Sequence, residues 1–145
     1  MNLEKYQQYS RIARGLEKAD LVLKDARIVN VFTEEIIRGD IAIQDGIIAG
    51  IGSFHGKEER DLAGRYVCPG FIDSHLHLES TLVTPAELVT AASRHGTTTF
   101  IVDPHESANV SGLAGIDYIL DQTEDVKANV YVMMPSCVPA THVDD

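Results

Sequence analysis

Tryptophan is absent from these 145 residues, and only four phenylalanines and five tyrosines are present. No aromatic platform for stacking single-stranded bases stands out. Basic residues are scarce as well: 12 Lys and Arg stand against 22 Asp and Glu, a formal net charge of -10. Such a surface repels phosphate backbones and anionic headgroups, so neither nucleic acid nor a membrane surface is an expected partner. No apolar run approaches the roughly 20 residues of a membrane span. The opening MNLEKYQQYSRIARG lacks the apolar stretch of a signal peptide. The two cysteines, Cys68 and Cys137, are too few and too far apart in sequence for a disulfide framework. Free thiols in a reducing cytoplasm are the expectation.

Apolar residues, at 44%, are plentiful enough to bury one modest core. Their period changes along the chain. Tyr9, Ile12, Ala13 and Leu16 recur at helical spacing, which predicts a helix in residues 1–18. From Ala19 to about Gly52 the chain is rich in Ile and Val and broken by short polar turns. IAIQDGIIAGI reads as a hairpin turning at Asp45-Gly46. LVLKDARIVNV reads as another, turning near Lys24-Asp25. A small antiparallel sheet is predicted. SFHGKEERDLAGR reads as a polar connection, and His55 within it as a solvated loop histidine.

From residue 67 onward the pattern alternates. RYVCPGFIDSHLHLES holds an apolar strand ending in histidines. TPAELVTAASRHG is a helix, with Thr84 as cap, Pro85 at the first helical position, Glu87 completing a capping box and Leu88, Val89 and Ala92 facing inward. His95 falls in its last turn, where a cation complements the helix dipole, and Gly96 suits its end. TTTFIVD is a strand. SGLAGIDYILDQ is a second helix, capped by Ser111, with Leu113, Ile116 and Leu120 on one face. NVYVMMPS is a third strand. Strand, helix, strand, helix, strand implies parallel βαβ units.

GFIDSHLHLES raises the chemical question. Residues i and i+2 of a strand share a face, so His75 and His77 project together. They do so at the carboxyl end of a parallel strand, where such folds place their chemistry. Two imidazoles there can reach one divalent metal. Ligating histidines commonly pass their other N–H to a carboxylate, and Asp73 and Glu79 flank the pair. A bare HxH also arises by chance. A second polar cluster, Asp103, His105 and Glu106 in DPHE, ends the next strand and reads as the wall of the same site. Cys137 has no identifiable base beside it and reads as a packing or pocket-lining thiol. His142 lies too near the chain end to interpret.

PGFIDSHLHLES resembles the first-strand motif of the amidohydrolase superfamily of metal-dependent hydrolases. HGTTTFIVDPHESANVSGLAGIDYIL and VYVMMPSCVPAT narrow the likeness to its microbial adenine deaminase branch. Ser107 stands where that branch suggests a larger apolar residue. The resemblance implies an α/β fold: the first βα units of a TIM-like barrel from 67 to 145, about three strands of eight. They follow a partial β-sandwich over 19–66, which continues from the N-terminal helix. It implies a binuclear divalent metal centre, with manganese or iron favoured and zinc the third choice. His75 and His77 match its first metal ligands. Asp73, Glu79, Asp103, His105 and Glu106 take places behind the metal ligands or in the substrate pocket. No residue of this stretch matches a catalytic proton carrier. The implied reaction hydrolyses adenine to hypoxanthine and ammonia. Water activated at the metal centre attacks C6, and a carboxylate carries its proton to the leaving amine.

The family's bridging carboxylate, later histidines and late-strand aspartate have no counterpart here. The resemblance therefore implies the N-terminal portion of such an enzyme, inactive alone. Two alternatives stand beside it. One is another amidohydrolase, acting on a cyclic amide or amidine. The other is a non-catalytic assembly module, since an exposed barrel edge favours association into a homo-oligomer.

Overall fold

In the computed structural model, which describes residues 2–136, the side chain of Asn2 opens helix α1 (Leu3–Ala13) by accepting the Lys5 N–H at 2.9 Å. Ile12 is the buried residue of α1 and packs with Ala19, Val22, Ala42 and Phe54. Leu16 lies past the helix end and is exposed, so it does not extend the predicted face. Cys137 and His142 fall outside the described residues. The chain divides into two units, Met1–Pro69 and Gly70–Asp145.

Lys24-Asp25 is not a hairpin turn. It is a bulge inside one 12-residue strand, β1 (Ala19–Asn30). β1 pairs antiparallel with β2 (Glu35–Gln44), and the register steps between Leu23 and Ala26. Asp25 has φ 51° there. Distant partners hold it: its N–H donates to Asp40 Oδ1 at 3.1 Å, and its carboxylate accepts Arg38 Nε at 2.8 Å. The Asp45-Gly46 turn forms as predicted, with φ 50° and 74°, and leads into β3 (Ile47–Gly52). Positive φ at both central residues matches the twist of a two-residue hairpin.

GKEERD is a strand rather than part of a loop. β4 (Gly56–Asp61) and the short β5 (Tyr66–Val67) both run parallel to β1. The sheet order is β3-β2-β1-β4, with β5 also on β1, so the sheet is mixed rather than antiparallel. Lys57 through Asp61 are exposed, as suits a charged edge strand that resists further pairing. His55 is exposed, with Nδ1 3.3 Å from Glu59 Oε1.

In the second unit, strands β6 (Phe71–Leu76), β7 (Thr97–Val102) and β8 (Asn129–Val132) form one parallel sheet in chain order. Between β6 and β7 lie a 3-10 turn (Glu79–Thr81) and helix α2 (Pro85–Ser93). Pro85 takes the first helical position, and the Thr84 side chain makes no cap bond. His95 sits in the turn after α2 rather than in its last helical turn.

Two helices, not one, follow β7: α3 (His105–Ser111) and α4 (Leu113–Thr123). Ser111 closes α3 instead of capping α4. The buried face of α4 is Gly115, Ile119 and Thr123, while Leu113 and Leu120 are exposed. The helical period is as predicted, but its phase is rotated. The close crossing of α3 and α4 sets that phase. A Cβ on Gly115 would come 2.4 Å from the Ser107 carbonyl oxygen and 3.1 Å from its Cβ. A larger residue at 107 would crowd the same crossing. Leu78, Val89, Phe100, Val102 and Ile119 form the core on the helix side of the sheet. No helix among the described residues is long and apolar enough to cross a membrane.

Candidate metal centre

Strand alternation decides which face each side chain presents. Leu76 and Leu78 pack into the helix-side core, so His75 and His77, before and between them, belong to the other face, while the register steps between Asp73 and Leu76 and Asp73 pairs with Phe100. Phe100 and Val102 enter the same core from β7, which sends Asp103 to the opposite face. Leu76 pairs with Val102, and the Asp103 N–H donates to the Leu76 carbonyl at 2.9 Å. That bond extends the ladder by one residue and brings Asp103 beside the histidines.

The two rings lie together at the carboxyl end of β6. Nε2 of His75 is 3.2 Å from Nε2 of His77, the ring centroids are 4.9 Å apart, and the planes meet at 84°. One donor atom from each of His75, His77 and Asp103 lies within 4.8 Å of the other two. His77, Glu79 and Glu106 meet the same limit. DPHE therefore reaches the same end of the sheet as HLH. His105 and Glu106 begin α3, with His105 half-buried and Glu106 exposed.

Asp73 and Glu79 do not orient the imidazoles through their ring nitrogens. Asp73 Oδ1 accepts the main-chain N–H of His75 at 3.4 Å. Glu79 Oε1 accepts the N–H groups of Glu106 and Ser107 at 2.9 and 3.2 Å and so caps α3 from 27 residues away. Ser80 donates its hydroxyl to Glu106 Oε2 and ties the same two segments again. Sequence reasoning misses this cap because it spans a whole βα unit and has no local spacing rule.

The donor set fits a divalent cation. Among the described residues, His77 Nδ1, Glu79 Oε2 and Asp103 Oδ1 are buried side-chain atoms without a hydrogen-bond partner. Buried polar groups are nearly always satisfied, and an orphan calls for an explanation such as an ion or ordered water. All three orphans belong to the two donor groups. Imidazole plus carboxylate suits a divalent transition-metal cation.

A family model described as "Amidohydrolase family" matches residues 66–145. Among curated proteins, the adenine deaminase of Desulfitobacterium hafniense (strain Y51) is 56% identical over 145 residues, which is 100% of this chain and 26% of that protein. Adenine deaminase 2 of Desulfotalea psychrophila is 51% identical over 141 residues, 97% of this chain and 24% of that protein. The chain thus spans about a quarter of the length of the curated relatives it matches. Among solved structures, an N-acyl-D-glutamate deacylase from Bordetella bronchiseptica, complexed with zinc and a phosphonate inhibitor, aligns at TM-score 0.47 and 31% identity. It covers 59% of this chain and 19% of its own.

Proposed function

The chain belongs to the amidohydrolase family, and from that membership we propose that it serves the hydrolytic deamination of adenine to hypoxanthine and ammonia. Identity above 50% to proteins named adenine deaminase supports the substrate. The observation that carries the chemistry is the convergence of His75, His77 and Asp103 at the ends of two adjacent parallel strands. In this reading the three hold a divalent cation, manganese or iron before zinc, and the strands are the first of a TIM-like barrel. The bound cation supplies one thing, the acidification of water near neutral pH. The chain's own residues do the rest. β6 and β7 fix the donors, and Glu79 and Ser80 hold the start of α3 against them. His105 and Glu106 stand as pocket wall. The remaining donors of a binuclear centre come, in this reading, from the length the relatives have and this chain does not span. Alone, the 145-residue chain should therefore turn adenine over negligibly. A cytoplasmic setting and purine metabolism follow from the same proposal.

A chimaera tests it. This chain replaces the matching quarter of the D. hafniense adenine deaminase, and ammonia release is followed from adenine and from a panel of cyclic amides. The expected result is adenine turnover that His75→Ala removes. Turnover of a cyclic amide in preference to adenine would move the substrate class, and turnover indifferent to His75→Ala would remove the metal assignment.

A further inference from the structure

Of the buried orphan atoms, Oε2 of Glu79 is not explained by the group of His75, His77 and Asp103, and Nδ1 of His77 belongs to a residue that both groups share. Glu79 is a member of the other group. Its Oε1 is fully engaged in capping α3, so its unpartnered Oε2 is the atom left over. Glu106, tied to Ser80 through Oε2, brings a second carboxylate to within 4.8 Å of donor atoms of His77 and Glu79. Two carboxylates so close repel unless a cation or a proton lies between them. A buried oxygen without a partner adds to that cost. A cavity of about 470 Å³ opens beside them, lined by Glu79, Glu106, Ser107, Ala114 and Tyr118 among others, and gives a hydrated ion access.

We propose that His77, Glu79 and Glu106 form a second divalent-cation site, distinct from the one built by His75, His77 and Asp103. It is also distinct from the further metal that the family resemblance supplies from residues outside this chain. One imidazole and two carboxylates suit manganese or iron. Because Glu79 binds the N-terminus of α3 with its other oxygen, filling this site also fixes α3, and with it His105, against β6. The proposal rests on the metal reading of the first group only through His77, which both groups share. A neutral imidazole has one acceptor nitrogen, so filling both sites at once makes His77 an imidazolate with its ring proton released to solvent, and this makes the two sites unequal, with the second the weaker.

The experiment is equilibrium dialysis of the full chain against Mn²⁺, with free ion read from its electron paramagnetic resonance signal. Far-UV circular dichroism matches each variant to the wild type. Wild type should take up two Mn²⁺ with unequal affinities. Glu106→Gln should leave one. Glu79→Gln should also leave one, because its amide oxygen still caps α3 while the amide nitrogen replaces the donor atom. His75→Ala should lose the other ion and keep this one. A single Mn²⁺ in wild type, lost in His75→Ala and unchanged in both Gln variants, overturns the second site and leaves the first standing. A single Mn²⁺ in wild type, kept in His75→Ala and lost in Glu106→Gln, supports the second site and removes the first. Two ions bound by Glu79→Gln overturn the assignment of Glu79.

Discussion

The two units treat buried polarity in opposite ways. In Met1–Pro69 it is closed on itself. Asp40, 8% exposed, accepts from the Lys24 ammonium, from the Phe54 N–H at 3.1 Å and from the Asp25 N–H at 3.1 Å, and Lys24 also donates to the Phe54 carbonyl at 2.9 Å. Each member has a partner within the unit, and the result pins the bulge of β1 to β2. In Gly70–Asp145 the corresponding atoms are left open: His77 Nδ1, Glu79 Oε2 and Asp103 Oδ1 have no partner among the described residues. Satisfied buried networks rigidify a core. Local rules broken without compensation mark functional sites. The difference teaches where to look for chemistry: polar groups that complete one another hold the first unit, and polar groups that wait for something outside the chain mark the second.

The largest expected effect breaks the comparison or confirms it. In the chimaera, His75→Ala and Asp103→Ala should each lower adenine turnover by about a thousandfold or more, since a lost metal ligand forfeits several kcal/mol of transition-state stabilisation. In the metal-free chain the same substitutions should not lower the melting temperature. Asp103→Ala removes an orphaned oxygen and should raise it, if anything. A fall of several degrees on Asp103→Ala would mean that Asp103 is structural, and the two units would then differ in nothing essential.

Much of the second unit is legible in the sequence because its signals are local. The i, i+2 spacing of His75 and His77, the β-branched run before Asp103 and Pro85 at a helix start each act within a few residues. The first unit is less legible for the converse reason. Lys24-Asp25 resembles a turn dipeptide, but Asp40 and Arg38 hold it as a bulge. GKEERD carries no apolar alternation, because its strand is defined by backbone pairing to β1 while its side chains face water. Within the second unit the failures are also long-range. The phase of α4 is set by the crossing at Ser107 and Gly115, and the cap on α3 comes from Glu79.

A smaller effect sharpens the first half of the comparison. Asp40→Ala leaves the Lys24 ammonium and two N–H groups without their acceptor. The expected loss is about 2–3 kcal/mol in urea unfolding, with Mn²⁺ uptake by the second unit unchanged. Gly115→Ala is expected to cost less, about 1–2 kcal/mol. Crowding against the Ser107 carbonyl should cost about 1–3 kcal/mol, and the better helix propensity of alanine offsets part of it. Its signature should lie in the second unit: weaker Mn²⁺ uptake as α3 shifts, with hydrogen exchange of β1 and β2 unaltered.

The smallest effect is a slope with pH. Burial alone would raise the Asp40 carboxyl, but the Lys24 ammonium and the N–H groups of Phe54 and Asp25 outweigh it and hold the group below the ordinary carboxylate range. A carboxyl lowered in the folded state contributes stability that is fully present above its unfolded pKa of about 3.9. That stability is lost as pH falls through the lower folded value, because the unfolded chain takes up the proton first. The hydrogen bond to Asp40 raises Lys24 above its usual value. Its contribution is therefore complete below the unfolded lysine pKa of about 10.4 and fades as pH rises through the folded one. The pair acts across the window between. Urea midpoints of the metal-free chain should stay level through neutral pH and fall on the acid side from about pH 4. Asp40→Asn, which cannot ionise, should make that acid limb shallower without touching the histidine end of β6, and what remains belongs to Asp20, Asp25 and Glu59, whose carboxyls are lowered too. An acid limb equally steep in Asp40→Asn would take the acid sensitivity away from the Asp40–Lys24 pair.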